Sequence, residues 1–135
     1  MARRTILIAD SSPTTVLWAR MVLEAHEYDV ISALDGYEAL QRVRDDHPDL
    51  VILDVALPLL SGFAACREIR ALEQGRTLPI IMLSTSSDSA LVLEAFQSGC
   101  NEYLLKPASV SELSARVRSL LPPPSPPSTP ASRLP

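Results

Sequence analysis

The sequence predicts an α/β fold, a (βα)5 doubly wound parallel sheet of five strands, and three observations carry that prediction. Apolar runs of strand length, rich in Ile, Val and Leu, recur at residues 5–9, 29–33, 50–53, 79–83 and 103–105. These runs are apolar throughout rather than alternating, as expected of parallel strands covered by helices on both faces. Segments with helical apolar spacing follow each of them, at residues 14–25, 36–46, 63–72, 89–97 and 110–120, so strand and helix alternate along the chain.

Taken in order, the first strand stops at Asp10, and Ser12 with Pro13 opens the first helix. A serine accepts the orphan N–H groups of a first turn, and proline at its start loses nothing. Asp35 plays the capping part before the second helix, Asp88 before the fourth and Ser109 before the fifth. In the fourth helix Leu91, Val92 and Leu93 occupy adjacent positions that cannot all face inward, so one of them is expected at a partner interface. After Leu121 the composition changes: residues 122–135 hold seven of the twelve prolines. No core can form from such a segment, which predicts a domain over residues 1–121 and a disordered Pro-rich tail or linker over 122–135.

With 135 residues, 47% of them hydrophobic, the chain can bury one real core. A net charge of −4 argues against nucleic acid or an anionic membrane as partner, since both attract clustered Lys and Arg. Cys66 and Cys100 match no metal-ligand spacing and no dense disulfide framework. The apolar run at residues 6–9 is too short for a signal peptide or a membrane span. A cytoplasmic location is the expectation. Trp18, His26 and His47 have no chemical partner in sequence and are read as packing or surface residues.

Ligands of doubly wound sheets bind beyond the carboxyl ends of the strands. Asp10, Asp54, Ser84 and Lys106 each directly follow a predicted strand, so they should converge on that edge. Eleven of the twelve basic residues are arginine, which makes Lys106 the only lysine. Two carboxylates suit a hard cation, while a hydroxyl and an ammonium suit an anionic group, and the set fits phosphoryl chemistry.

The stretch from Asp54 to Gly62, Asp-Val-Ala-Leu-Pro-Leu-Leu-Ser-Gly, resembles the D-x-x-M-P-x-x-x-G loop of the response-regulator receiver family of bacterial two-component signalling, with Leu57 in place of Met. Pro79 leading into Ile-Ile-Met-Leu-Ser84, and Lys106-Pro107, are the other anchors, and the match runs from about Thr5 to Leu121. The resemblance implies flavodoxin-like strand order 2-1-3-4-5. It makes Asp54 the phospho-acceptor, supplied by a histidine kinase or phosphotransfer protein. Asp10, Asp54 and the backbone carbonyl of Ala56 would bind Mg²⁺, Lys106 would pair with the phosphoryl oxygens, and Ser84 and Tyr103 would be the switch pair. Output would pass through a face built from helix 4, strand 5 and helix 5, to a downstream protein or a second copy. On this reading the chain is a switch and not an enzyme with its own output.

The chain departs from the family in carrying Asp10-Ser11 where two adjacent acids are usual. Asp10, Asp54 and Lys106 together carry −1, one unit less negative than usual, so Mg²⁺ should bind more weakly, with Ser11 a further candidate ligand. Thr85 and Ala108 replace a smaller residue and an aromatic. Ser11 is the best support for a second reading, a pseudo-receiver that docks or dimerises without phosphorylation, and intact Asp54 and Lys106 oppose it. A phosphatase or hydrolase would need a water-activating base that the sequence does not supply. Ala56 offers no polar group to orient an attacking water, which predicts a slowly hydrolysing aspartyl phosphate. A half-life of seconds after radiolabelled phosphotransfer would overturn that expectation.

Overall fold

The computed structural model describes residues 3–121. The proline-rich segment 122–135, expected as a disordered tail, lies outside the described residues. Strands β1 (Thr5–Ala9), β2 (Asp29–Ala33), β3 (Leu50–Asp54), β4 (Ile80–Ser84) and β5 (Glu102–Leu105) alternate with helices α1 (Pro13–Glu24), α2 (Gly36–Asp46), α3 (Gly62–Ala71), α4 (Ser89–Ser98) and α5 (Val110–Leu120). All strand pairs are parallel, in the order β2-β1-β3-β4-β5. Fold class and strand order are as expected. No helix among the described residues is long and apolar enough to cross a membrane.

Ser12, Asp35, Asp88 and Ser109 all cap the helices expected of them, and Ser109 completes a capping box with Glu112. Each such cap is worth about 1 kcal/mol. Ser61 caps α3 in the same way, accepting from the N–H of Ala64. Two boundaries differ from the sequence reading in a way that matters. Asp54 and Ser84 are the last residues of β3 and β4, not the first beyond them. The ladder runs on past both, with Val55 N–H donating to Leu83 O and Lys106 N–H to Ser84 O.

Successive strand residues point to opposite faces, and the core divides accordingly. Ile6, Ile8, Leu50, Ile52, Ile81, Leu83 and Leu104 pack against α1 and α5, with Leu23, Leu113 and Val117. Leu7, Val51, Leu53, Ile80 and Met82 pack on the other side against α2, α3 and α4, with Val43, Ile69 and Ala95. Every residue of β3 and β4 is buried, which is why no polar alternation marks these strands in the sequence.

The α4–β5 corner is held by Arg70 near the end of α3. Its guanidinium donates to Gly99 O at 2.9 and 2.7 Å, to Gly75 O at 2.7 Å, to Leu78 O, and to Asn101 Oδ1 at 3.0 Å. Gly99 ends α4 in the left-handed region at φ 112°, where its missing side chain also leaves room for the Arg70 stem. Asn101 Oδ1 accepts in turn from Ile80 N–H, so one arginine ties α3, the entry to β4 and the entry to β5. Replacing Arg70 with Ala strands these carbonyls, and should lower stability by about 2–4 kcal/mol in urea unfolding. Arg70→Lys should recover only part, because an ammonium cannot span the fork.

Candidate functional site

The face alternation of the strands decides which side chains meet at their carboxyl ends. Asp10 continues the Ile6–Ile8 column, Asp54 the Leu50–Ile52 column, and Lys106 the column of Leu104, all on the α1/α5 side. Ser84 continues Met82 on the opposite side, where Tyr103 also packs. Four residues expected to converge therefore arrive as an ionic trio and, one strand over, a hydroxyl.

Lys106 Nζ lies 2.6 Å from Asp10 Oδ2 and 3.2 Å from Asp54 Oδ1, bridging the two carboxylates. Asp10 is 1% exposed and Asp54 7%. Two carboxylates at that burial would repel strongly without a cation between them. Burial by itself pushes the Lys106 ammonium toward lower pKa, but the hydrogen bond it donates to Asp10 and the charges of Asp54 and Asp10 outweigh it and hold the pKa above its ordinary value. Backbone donors complete the anchoring. Ser12 N–H donates to Asp10 Oδ1 at 2.8 Å and Ala56 N–H to Asp54 Oδ1 at 3.3 Å. The peptide between Lys106 and Pro107 is cis.

Gly62 explains the last residue of the loop that follows Asp54. Its N–H donates to Val55 O at 3.0 Å, and a Cβ there would stand 2.4 Å from Asp54 O. Only glycine lets α3 start this close to the backbone of Asp54. Between them, Leu59 is held at φ 68° and is exposed, a conformation that costs a side chain of this kind.

Ser11 is exposed on the bend between β1 and α1. The described residues hold no group of three or more His, Cys, Asp or Glu able to share a metal. Asp10 and Asp54 nevertheless meet the small protein requirement of Mg²⁺, which keeps several waters and binds through one or two carboxylates. The donor set therefore fits the ion, thinly.

Ser84 Oγ, 6% exposed, accepts from Ser86 N–H at 3.1 Å, and Tyr103 Oη donates to Ser86 O at 2.6 Å. The two residues expected as a switch pair thus hold the two successive peptide groups that flank Ser86. Trp18, read from sequence as a packing residue, is half-buried and walls a cleft of about 320 Å³ that also includes Lys106, Pro107, Thr85 and Ala108. Both departures from the usual pattern on this side of the site line that cleft. His26 and His47 are exposed and Cys66 and Cys100 buried and free, away from the trio. Burial pushes both thiols up in pKa, Cys100 to about 12, so neither supplies a thiolate near neutrality.

A parallel sheet in this order, with a lysine-bridged aspartate pair at its carboxyl edge, is the architecture of a receiver. The chain belongs to the response regulator receiver domain family, which it matches over residues 6–118. It is 36% identical over 118 residues to the alkaline phosphatase synthesis transcriptional regulatory protein PhoP of Bacillus subtilis, covering 87% of this chain and 48% of that protein. It is 39% identical to the DNA-binding response regulator MtrA of Mycolicibacterium smegmatis, covering 88% of this chain and 51% of that one. The chain thus spans about half the length of the curated relatives it matches. Among solved structures, the receiver domain of the sensor histidine kinase PA1611 of Pseudomonas aeruginosa, with magnesium coordinated in its active site cleft, superposes with a TM-score of 0.82 at 32% identity. That likeness covers 88% of this chain and 98% of the other. The Vibrio cholerae chemotaxis protein CheY4 gives a TM-score of 0.85 at 28% identity over 89% of this chain and all of its own.

Removing the bridging cation leaves two buried carboxylates facing one another, so Lys106→Met should destabilise the domain by about 2–3 kcal/mol at neutral pH. Because the folded pKa is raised, that contribution is complete below the ordinary lysine value of 10.5 and is lost as pH climbs through the higher folded value. Unfolding free energies of the two proteins, measured across this range, should converge at the alkaline end.

Proposed function

We propose that this chain is a phosphorylation-dependent switch in which Asp54 accepts a phosphoryl group from the phosphohistidine of a histidine kinase or phosphotransfer protein. The observation that carries the reading is the placement of Lys106 Nζ within reach of both Asp10 and Asp54 at the carboxyl edge of the sheet. In the transfer, a carboxylate oxygen of Asp54 forms the new bond to phosphorus as the bond to the imidazole nitrogen breaks. Lys106 turns its charge from the carboxylates to the phosphoryl oxygens, and Ser84 donates its hydroxyl to one of them.

Asp10, Asp54 and the carbonyl of Ala56 would hold Mg²⁺, with Ser11 a further contact. When bound, the ion neutralises charge on the phosphoryl oxygens. Ser11 in place of an acid weakens that hold. Signal leaves through the α4-β5-α5 face, where Leu93, Phe96 and Leu105 stand exposed, toward a downstream protein or a second copy. The adjacent leucines of α4 divide as their spacing requires: Leu91 is half-buried and Leu93 faces out.

This unit acts in the cytoplasm through protein contacts, without an enzymatic output of its own. It does not engage nucleic acid, in keeping with its net charge of −4. PhoP, a transcriptional regulatory protein, and MtrA, a DNA-binding response regulator, are each about twice its length, so the DNA binding of MtrA is not carried over. A second reading, a docking or dimerisation module that works without phosphorylation, rests on Ser11 alone.

Incubation with acetyl phosphate or phosphoramidate and Mg²⁺, read by intact mass, tests the choice. The wild type should gain one phosphoryl group and Asp54→Ala none. Ser11→Asp should reach half-maximal labelling at roughly tenfold lower Mg²⁺, equivalent to about 1.4 kcal/mol. A folded wild type that gains nothing at millimolar Mg²⁺ would move the assignment to the docking module.

A further inference from the structure

The cleft of about 320 Å³ between α1 and the turn into α5 is lined by Thr14, Thr15, Trp18, Thr85 and Ala108 beside Lys106. That volume is at the lower end of ligand sites. A ring at position 108 would take up part of the space, which alanine leaves open. Trp18, the only tryptophan of the chain, stands half-buried in its wall.

The path of the chain brings a candidate occupant to this place. Helix α5 starts at Val110, just past Ala108, and returns to the opposite edge of the sheet. There Tyr28 Oη, directly before β2, donates to Leu121 O at 3.2 Å, and Leu121 is buried in the same core layer as α1 and α5. Fourteen residues follow, seven of them proline. The eleven residues of α5 span about 16 Å, a distance that about five residues of polyproline II retrace. Pro126, five positions past Leu121, can therefore stand level with the cleft.

The chemistry of the two partners agrees. From position 122 to 132 the segment carries no charge, and Lys106 is already paired with two carboxylates, so docking strands no ion. Polyproline II is preformed and seats on aromatic-lined grooves at low entropic cost. Proline keeps its carbonyl but has no N–H. The indole N–H of Trp18 and the hydroxyls of Thr14, Thr15 and Thr85 are the donors such a segment needs. A short tether gives an effective concentration on the order of millimolar, so even a contact too weak to hold a free peptide is occupied about half the time.

We propose that residues 126–130 fold back in cis and dock on Trp18 in this cleft. The seated segment shields the flank of Lys106 that faces α1, and a partner approaching along α1 must first displace it. This cover does not depend on the phosphorylation of Asp54.

Acrylamide quenching of Trp18 fluorescence in the full chain tests the contact. Combining Pro126→Gly, Pro127→Gly and Pro130→Gly keeps the length of the segment and removes its preformed geometry. A seat occupied about half the time predicts a quenching constant roughly twofold higher in this variant. Acetylation of Lys106, the only lysine, by acetic anhydride should speed up by roughly the same factor, read by peptide mass. In an Ala108→Phe background the glycine substitutions should change neither quantity. The protection seen in the wild type should persist through a roughly hundredfold dilution, as an intramolecular contact requires. Equal quenching with and without the prolines would overturn the docking, and a difference that survives Ala108→Phe would overturn the cleft as its seat. Protection lost on dilution would place the segment in the cleft of a second copy and overturn the contact in cis. An unchanged Lys106 rate would overturn the shielding.

Discussion

Two carboxylates buried at the end of one sheet are compatible with a stable fold only because an ammonium stands between them. Lys106 reaches 2.6 Å from Asp10 and 3.2 Å from Asp54, and most of the surrounding design serves that contact. Parallel pairing with matched register brings Ala9 level with Leu53 and Asp54 level with Leu83. Strand ends from distant parts of the chain are thereby set side by side. The Arg70 corner fixes where β5 begins, and with it where Lys106 falls. Gly62 lets α3 press against the backbone of Asp54 from below. Arg70 and Gly62 do not touch the charges, yet both set the distances between them.

Much of this was legible in the sequence because it depends on local rules. Uniformly apolar strands, helical spacing and capping residues such as Ser12 and Ser109 each act within a few residues, and the elements they predict match those observed to within a residue or so. The meeting of Asp10, Asp54 and Lys106 followed from the general behaviour of parallel sheets, whereas Ser84 reaches the same edge on the opposite face. Arg70 could not be found in this way. Its partners Gly75, Leu78, Gly99 and Asn101 are brought together only by the tertiary fold, and an arginine late in a helix reads as an ordinary solvated residue. Leu59 gave no warning either, since a leucine at positive φ breaks the local preference on which sequence reading relies. Ser61 did carry a signal, a serine directly before a helix, that passes unnoticed beside the glycine following it.

The departures from the family pattern become more specific once placed in space. Thr85 and Ala108, far apart in sequence, wall one cleft with Trp18 beside Lys106. A bulky ring at position 108 would occupy part of that space. Ser11 differs in kind: it is exposed and removes charge, leaving the packing of the site intact. One substitution bears on how strongly a cation is held, and the other two on what can approach the lysine from the side of α1.

The bond between Lys106 and Asp10 joins residues 96 positions apart. During synthesis the two aspartates leave the ribosome long before their counter-ion, and β5 is the last strand to emerge among those of the described sheet. Until it docks on β4, the nascent chain carries a pair of acids without a cation, which opposes early closure. Completion of the charge arrangement therefore coincides with completion of the sheet. Partly made chains cannot assemble the receiver site, so a truncated product would be silent rather than misleading.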